Sequence, residues 1–187
     1  YGIFSGLLLK ETIIELGGRA AIFTPNRVME GYGVNSRIVD EANANGASVL
    51  LTCDNGIAAF EAIDEAKKLG MTVIVTDHHE VPFEEHDGKK IYILPKADAI
   101  VDPKQEDCAY PFKSLCGTGV AYQLMTLLFR RMKRTMSHQE IFLQYTAIAT
   151  VADVMELVGE NRILVRKGLS YLNHTNHTGD RKSTRQN

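Results

Sequence analysis

Apolar residues recur at three- and four-residue steps through residues 3–16, "IFSGLLLKETIIEL", and the pattern stops at Gly17-Gly18. That spacing predicts a helix with a glycine stop. Residues 19–25, "RAAIFTP", read as a strand. "NSRIVDEANANG", residues 35–46, is a short amphipathic helix opened by Asn35 or Ser36 as cap and closed by Gly46. "ASVLLT", residues 47–52, is a buried strand, and Cys53-Asp54-Asn55-Gly56 is a tight turn. Residues 57–70, "IAAFEAIDEAKKLG", carry acids early, lysines late and Gly70 at the end, the polarity of a helix. "MTVIVT", residues 71–76, is the next strand. Strand, helix and strand at this spacing predict a right-handed βαβ unit in a parallel sheet.

Two further short strands are expected at residues 89–94, "KKIYIL", and 98–101, "DAIV", before the irregular stretch 102–119. From Val120 the periodicity is helical, over residues 120–134, 138–155 and 161–172. The predicted class is therefore α/β: a Rossmann-like, mostly parallel sheet flanked by helices, with a helical C-terminal part. Residues 1–172 form the expected domain, and the polar, aperiodic residues 173–187 are expected to be a disordered tail.

Composition narrows the class. A chain of 187 residues, 44% hydrophobic and 24% charged, has material for a core without staples. Three cysteines with no Cys-x-x-Cys spacing point away from a disulfide framework or a zinc knuckle and toward a reducing, cytoplasmic setting. No apolar run approaches the roughly 20 residues of a membrane span, so no membrane association is expected. Charge is divided unevenly: residues 1–129 hold 11 Lys+Arg against 18 Asp+Glu, a net of -7, and residues 130–187 hold 10 against 5, a net of +5. Arg130, Arg131, Lys133 and Arg134 are the densest basic stretch. Such a patch can follow a phosphate backbone, although at a helix C-terminus a run of this kind is more often a solvated end that compensates the helix dipole.

Ligands of an open parallel sheet bind beyond the carboxyl ends of its strands. Asp54 and Asp77 each follow a predicted strand, one βαβ unit apart, which brings both to one edge. Asp77 is followed by His78 and His79, and a third acid, Asp153, stands in the apolar "ATVADVMEL". Carboxylates gathered without a cation raise one another's pKa, and a divalent metal resolves that conflict. Mixed oxygen and nitrogen donors suit manganese, iron or zinc. Each acid also has a plain structural use, Asp54 in a turn and Asp153 as a cap or buried partner.

"TDHHE", "LTCDNGI" and "ATVADVMEL" together resemble, in order, the acidic and histidine motifs of the DHH phosphoesterase superfamily. Within it, "TPNRVMEGYGVN" and "DPKQEDCAYPFKSLCGTGVAYQL" are similar to segments of bacterial single-stranded-DNA-specific exonucleases, over residues 2–172. The resemblance implies hydrolysis of single-stranded DNA from the 5′ end at a two-metal centre of manganese or magnesium, in recombination and repair, with replication or repair proteins as further partners. It implies that Asp54 bridges the ions, that His78 and Asp153 are ligands, that His79 stands by the scissile phosphate and that Asp77 orients a neighbour. Gly117, Thr118 and Gly119 would offer backbone N–H groups to a phosphate. The family's first Asp-x-Asp-Gly motif is represented only by Tyr1-Gly2-Ile3, and nothing after Leu172 resembles its later domains. A fragment clipped at both ends and nearly inactive alone is the expectation. The alternatives are a phosphodiesterase for short oligoribonucleotides or cyclic dinucleotides, and a non-catalytic nucleic-acid or partner binder.

Overall fold

The computed structural model describes residues 2–25 and 33–173. Most of "TPNRVMEGYGVN" and the expected disordered tail therefore lie outside the described residues. The chain forms two compact units, one from residues 21–113 and one from residues 3–20 with 114 onward.

The first unit contains α2 (Ser36–Ala44), β1 (Val49–Cys53), α3 (Phe60–Lys68), β2 (Thr72–Thr76), β3 (Phe83–His86), β4 (Lys89–Tyr92) and β5 (Ala99–Val101). Strands β1, β2 and β5 form a parallel sheet in that order, as the βαβ spacing requires. Its core is the apolar face of the two helices against the sheet: Val39, Ile63, Met71, Val73 and Val75 are all buried together. Asn35 caps α2, its side chain accepting from Ile38 N–H at 3.1 Å.

Two strand expectations change. Residues 19–25 enter no ladder among the described residues, and they are largely exposed. Strand-forming composition does not suffice where no neighbouring edge takes up the backbone hydrogen bonds. The segment beginning at Lys89 is a strand, but it pairs antiparallel with β3 in a separate exposed hairpin rather than joining the sheet. β3 itself, "FEEH", gives no sequence signal because three of its four residues are charged or titratable and all four are exposed.

The second unit contains α1 (Gly2–Glu15, apart from Gly2), α4 (Gly117–Arg131), α5 (Gln139–Ala152) and α6 (Gly159–Leu172). α4 starts three residues earlier than its apolar pattern, because Cys116 is the N-cap and its Sγ accepts from Gly119 N–H at 3.3 Å. α5 and α6 approach closely at Gly168, where a Cβ would lie 2.3 Å from the Leu143 carbonyl and 2.4 Å from Ala147 Cβ. Buried hydroxyls are satisfied locally, Thr146 donating to Phe142 O and Thr150 to Thr146 O, both at 2.7 Å.

Helix ends share one mechanism. After α3, Gly70 takes φ +78° and Met71 N–H returns to Ala66 O at 3.0 Å, while Gly70 N–H returns to Lys67 O, the Schellman pattern. The same two bonds close α4 at Lys133 (φ +54°) and α5 at Val154 (φ +55°). A β-branched residue there is strained, and Val154 is 88% exposed, so its side chain returns little packing. Val154→Gly is expected to raise stability by about 1 kcal/mol, read as a higher urea midpoint. Gly168→Ala is expected to lower it by about 1–3 kcal/mol, because the α5 backbone cannot yield to the added methyl.

Candidate metal centre

Register sets the edge. Cys53 pairs with Thr76 and Thr76 with Val101, so Asp54, Asp77 and Asp102 are each the first residue beyond a strand at one level of the sheet. The ladder continues into them: Asp54 N–H donates to Thr76 O and Asp77 N–H to Val101 O, both at 3.0 Å. Asp54 adopts φ +60°, a conformation Asp tolerates better than most residues. The turn after it is held by Thr52 Oγ1 donating to Asn55 O and Asn55 Nδ2 donating to Cys53 O, each at 2.8 Å. Gly56 is obligatory there, since at φ +115° a Cβ would stand 2.4 Å from Thr52 Oγ1 and 3.1 Å from Val75 Cγ1.

Asp77 is buried and works through both oxygens. Oδ2 accepts from Ile57 N–H at 2.9 Å; Oδ1 accepts from His78 N–H at 2.8 Å and lies 2.6 Å from His79 Nδ1. Burial pushes its pKa up, but the bonds from the His79 ring and the Ile57 and His78 amides outweigh it and hold the carboxyl below its ordinary value. With Nδ1–H donating to this carboxylate, the His79 lone pair is on Nε2. His78 is buried and places Nε2 3.1 Å from Asp54 Oδ1. The two imidazoles lie 4.5 Å apart, ring centre to ring centre.

One ligand atom from each of Asp54, His78 and His79 lies within 4.8 Å of the others. His78 Nε2 and Asp54 Oδ1 are 3.1 Å apart, close enough for both atoms to be ligands of one ion placed between them. The donors therefore fit a divalent metal, with two nitrogens and an oxygen favouring manganese, iron or zinc over calcium. His79, whose side chain is 58% exposed, is the open side of the cluster.

The remaining sequence candidates lie in the second unit. Asp153 is the C-cap of α5 and belongs to the other unit. Gly117, Thr118 and Gly119 do form a helix start, but Gly119 N–H is taken by Cys116 and the Thr118 hydroxyl pairs with Ser5 Oγ at 2.9 Å. Gly117, Thr118 and Gly119 are themselves all buried. Arg130 and Arg131 end α4 and are exposed with Lys133, whereas Arg134 donates to the Glu15 carbonyl at 3.0 Å and so caps α1. That part of the basic cluster is structural. Cys53, near the site, is inert: burial pushes its thiol up to about 12, and Asp54 and Asp77 add to the rise. Asp102 was missed by sequence reasoning although "AIVD" repeats the signal that found the other two, an acid closing a strand.

Asp77→Asn places an amide N–H₂ against one of the N–H donors that now meet a carboxylate. A loss of about 1–3 kcal/mol is expected. Because the folded pKa of Asp77 is depressed, its contribution is present above the unfolded value of roughly 3.9 and lost as pH falls through the folded one. The stability gap between wild type and variant should accordingly be widest near neutrality and narrow in acid, in urea melts across that range.

Comparison with known proteins shows the family. Residues 2–150 match the family described as "DHH family, N-terminal domain". The chain is 38% identical over 178 residues to the single-stranded-DNA-specific exonuclease RecJ of Bacillus subtilis, covering 95% of this chain and 21% of that protein. It is 41% identical over 155 residues to RecJ of Escherichia coli, covering 78% and 25%. A crystal structure of exonuclease RecJ bound to manganese superposes with a TM-score of 0.78 at 29% identity, over 96% of this chain and 43% of that one. The crystal structure of RecJ from Thermus thermophilus in complex with Mn2+ gives 0.71 at 27% identity, over 95% and 24%. The chain thus spans about a fifth to a quarter of the curated relatives' length. With its acid and paired histidines closing a strand of a parallel sheet, and with the family match running through both, this chain belongs to the DHH family.

Proposed function

We propose that this chain carries the metal-binding hydrolytic centre of a single-stranded-DNA exonuclease acting in recombination and repair. The reading rests on the convergence of Asp54, His78 and His79 at the carboxyl edge of the parallel sheet. It is supported by relatives named as single-stranded-DNA-specific exonucleases and by the two manganese-bound structures. A cytoplasmic setting accords with the free cysteines, and no helix among the described residues is long and apolar enough to cross a membrane.

Asp54 and His78 would hold the ion, and His79 would complete the set or face the phosphate. A manganese or magnesium ion, or a pair of them, supplies Lewis acidity: it lowers the pKa of a bound water and neutralises phosphoryl charge. The protein's own contribution is positional. Asp77 fixes the tautomer and orientation of His79, and burial keeps the inner face of His78 away from bulk water. Exposed Arg130, Arg131 and Lys133 are the groups suited to strand phosphates. Replication or repair proteins are the expected further partners.

Calorimetry with manganese and nucleotide release from end-labelled single strands test this. Asp54→Ala and His78→Ala should each weaken manganese binding by at least about tenfold. Any metal-dependent release from single strands should be lost in His79→Ala, and 5′ against 3′ labels report the direction. Unchanged manganese affinity in the Asp54→Ala, His78→Ala double variant would sink the proposal.

A further inference from the structure

The carboxyl edge of the sheet is acidic. Asp54, Asp77 and Asp102 stand at one level beyond its three strands, and Glu80 follows His79 directly. Each of these charges repels a strand phosphate that approaches the rim, so a cation placed there has a use beyond that of the metal.

The turn after β5 brings one. Asp102 is buried, and its Oδ1 accepts from Lys104 N–H at 2.8 Å. Gln105 Nε2 donates to Ile100 O and to Asp102 O, both at 3.2 Å, which ties the same turn back to the strand. The Lys104 backbone is thereby fixed two residues past the sheet edge. Its side chain reaches the loop after β2, where Nζ lies 2.8 Å from Glu80 Oε1. Glu80 adjoins His79, with Cα atoms about 3.8 Å apart, so the ammonium is tied to the residue next to the open side of the donor cluster.

The two halves of this ion pair are unequal. The Lys104 side chain is 27% exposed, whereas that of Glu80 is 85% exposed. An ion pair with so solvated a partner contributes next to nothing to stability. Water replaces the lysine around Glu80 at little cost, and the carboxylate therefore holds the ammonium in place yet yields it to a stronger anion.

We propose that Lys104 is a phosphate-contact residue of this centre: its ammonium, held on Glu80 beside His79, passes to a backbone phosphate of the single strand when the strand docks. The inference rests on the reading of this edge as a single-strand nuclease centre. It names a residue of the first unit that grips the substrate there, whereas Arg130, Arg131 and Lys133 belong to the second.

Salt-dependent anisotropy in manganese, with a labelled single strand made hydrolysis-resistant by phosphorothioate linkages, is the test. The variants are Lys104→Met, Glu80→Gln and, as reference, Lys96→Met. Lys96 pairs with Asp64 at 3.5 Å and precedes β5, at the opposite edge of the sheet, so its loss removes the same charge from the wrong place. Expected for Lys104→Met are binding about fivefold weaker at low salt and a log–log salt slope reduced by roughly 0.7, the loss of one single-strand phosphate contact. Glu80→Gln should bind more tightly than wild type, Lys96→Met should match it, and manganese affinity by calorimetry should be retained in all three. A wild-type slope in Lys104→Met, an equal loss in Lys96→Met, weakening by Glu80→Gln, or no strand binding by the wild-type chain each overturns the inference. In any of those cases manganese affinity lost in the Asp54→Ala, His78→Ala double variant leaves the metal centre standing, and affinity retained there overturns the centre itself.

Discussion

Asp77 is a carboxylate taken out of water, and what it demands in return organises the first unit. A buried acid survives as an anion only if its oxygens are filled, and those of Asp77 are filled by Ile57 N–H ahead of α3, by His78 N–H and by the His79 ring. The turn after β1, the end of β2 and the paired histidines are thereby tied to one side chain. Such an acid cannot shift by a residue without stranding its donors, so the site is as rigid as the sheet edge that carries it.

The parallel ladder supplies the other half of that rigidity. Because β1, β2 and β5 pair in register and the ladder runs one residue past β1 and β2, three acids reach one level without any loop having to place them. Repulsion among them is then a property of the fold. His78 beside Asp54 and the bonds on Asp77 relieve part of it, and a divalent cation would relieve the rest. Burial, and after it the charges of Asp54 and Asp77, pushes the nearby Cys53 thiol up.

Strain appears where the helices of the second unit end. α4 and α5 close with the bonds that elsewhere belong to glycine, using Lys133 and Val154 instead. Arg134 then turns back to the Glu15 carbonyl, so a stretch with the composition of a nucleic-acid patch is partly spent on capping α1. Charge density alone does not separate these two uses, since a guanidinium satisfies a helix carbonyl as well as a phosphate.

By itself the sequence determined the alternation that builds this protein: apolar runs of strand length, amphipathic helices between them, and glycines where the chain must turn back. These are local properties, and β1, α3 and β2 follow from them because a βαβ unit admits essentially one handedness. Asp54, Asp77, His78 and His79 were legible as a site for the same reason, since residues that close adjacent parallel strands must share an edge. Tertiary structure alone decided the rest. The strand-like residues 19–25 found no ladder among the described residues, and the segment at Lys89 paired with an unheralded β3, because pairing depends on which edge is available and not on composition. Asp102 carried the same signal as its neighbours, yet only the burial of its carboxylate separates it from an ordinary turn. Burial is a property of everything packed around a residue, and a pattern read along one strand does not contain it.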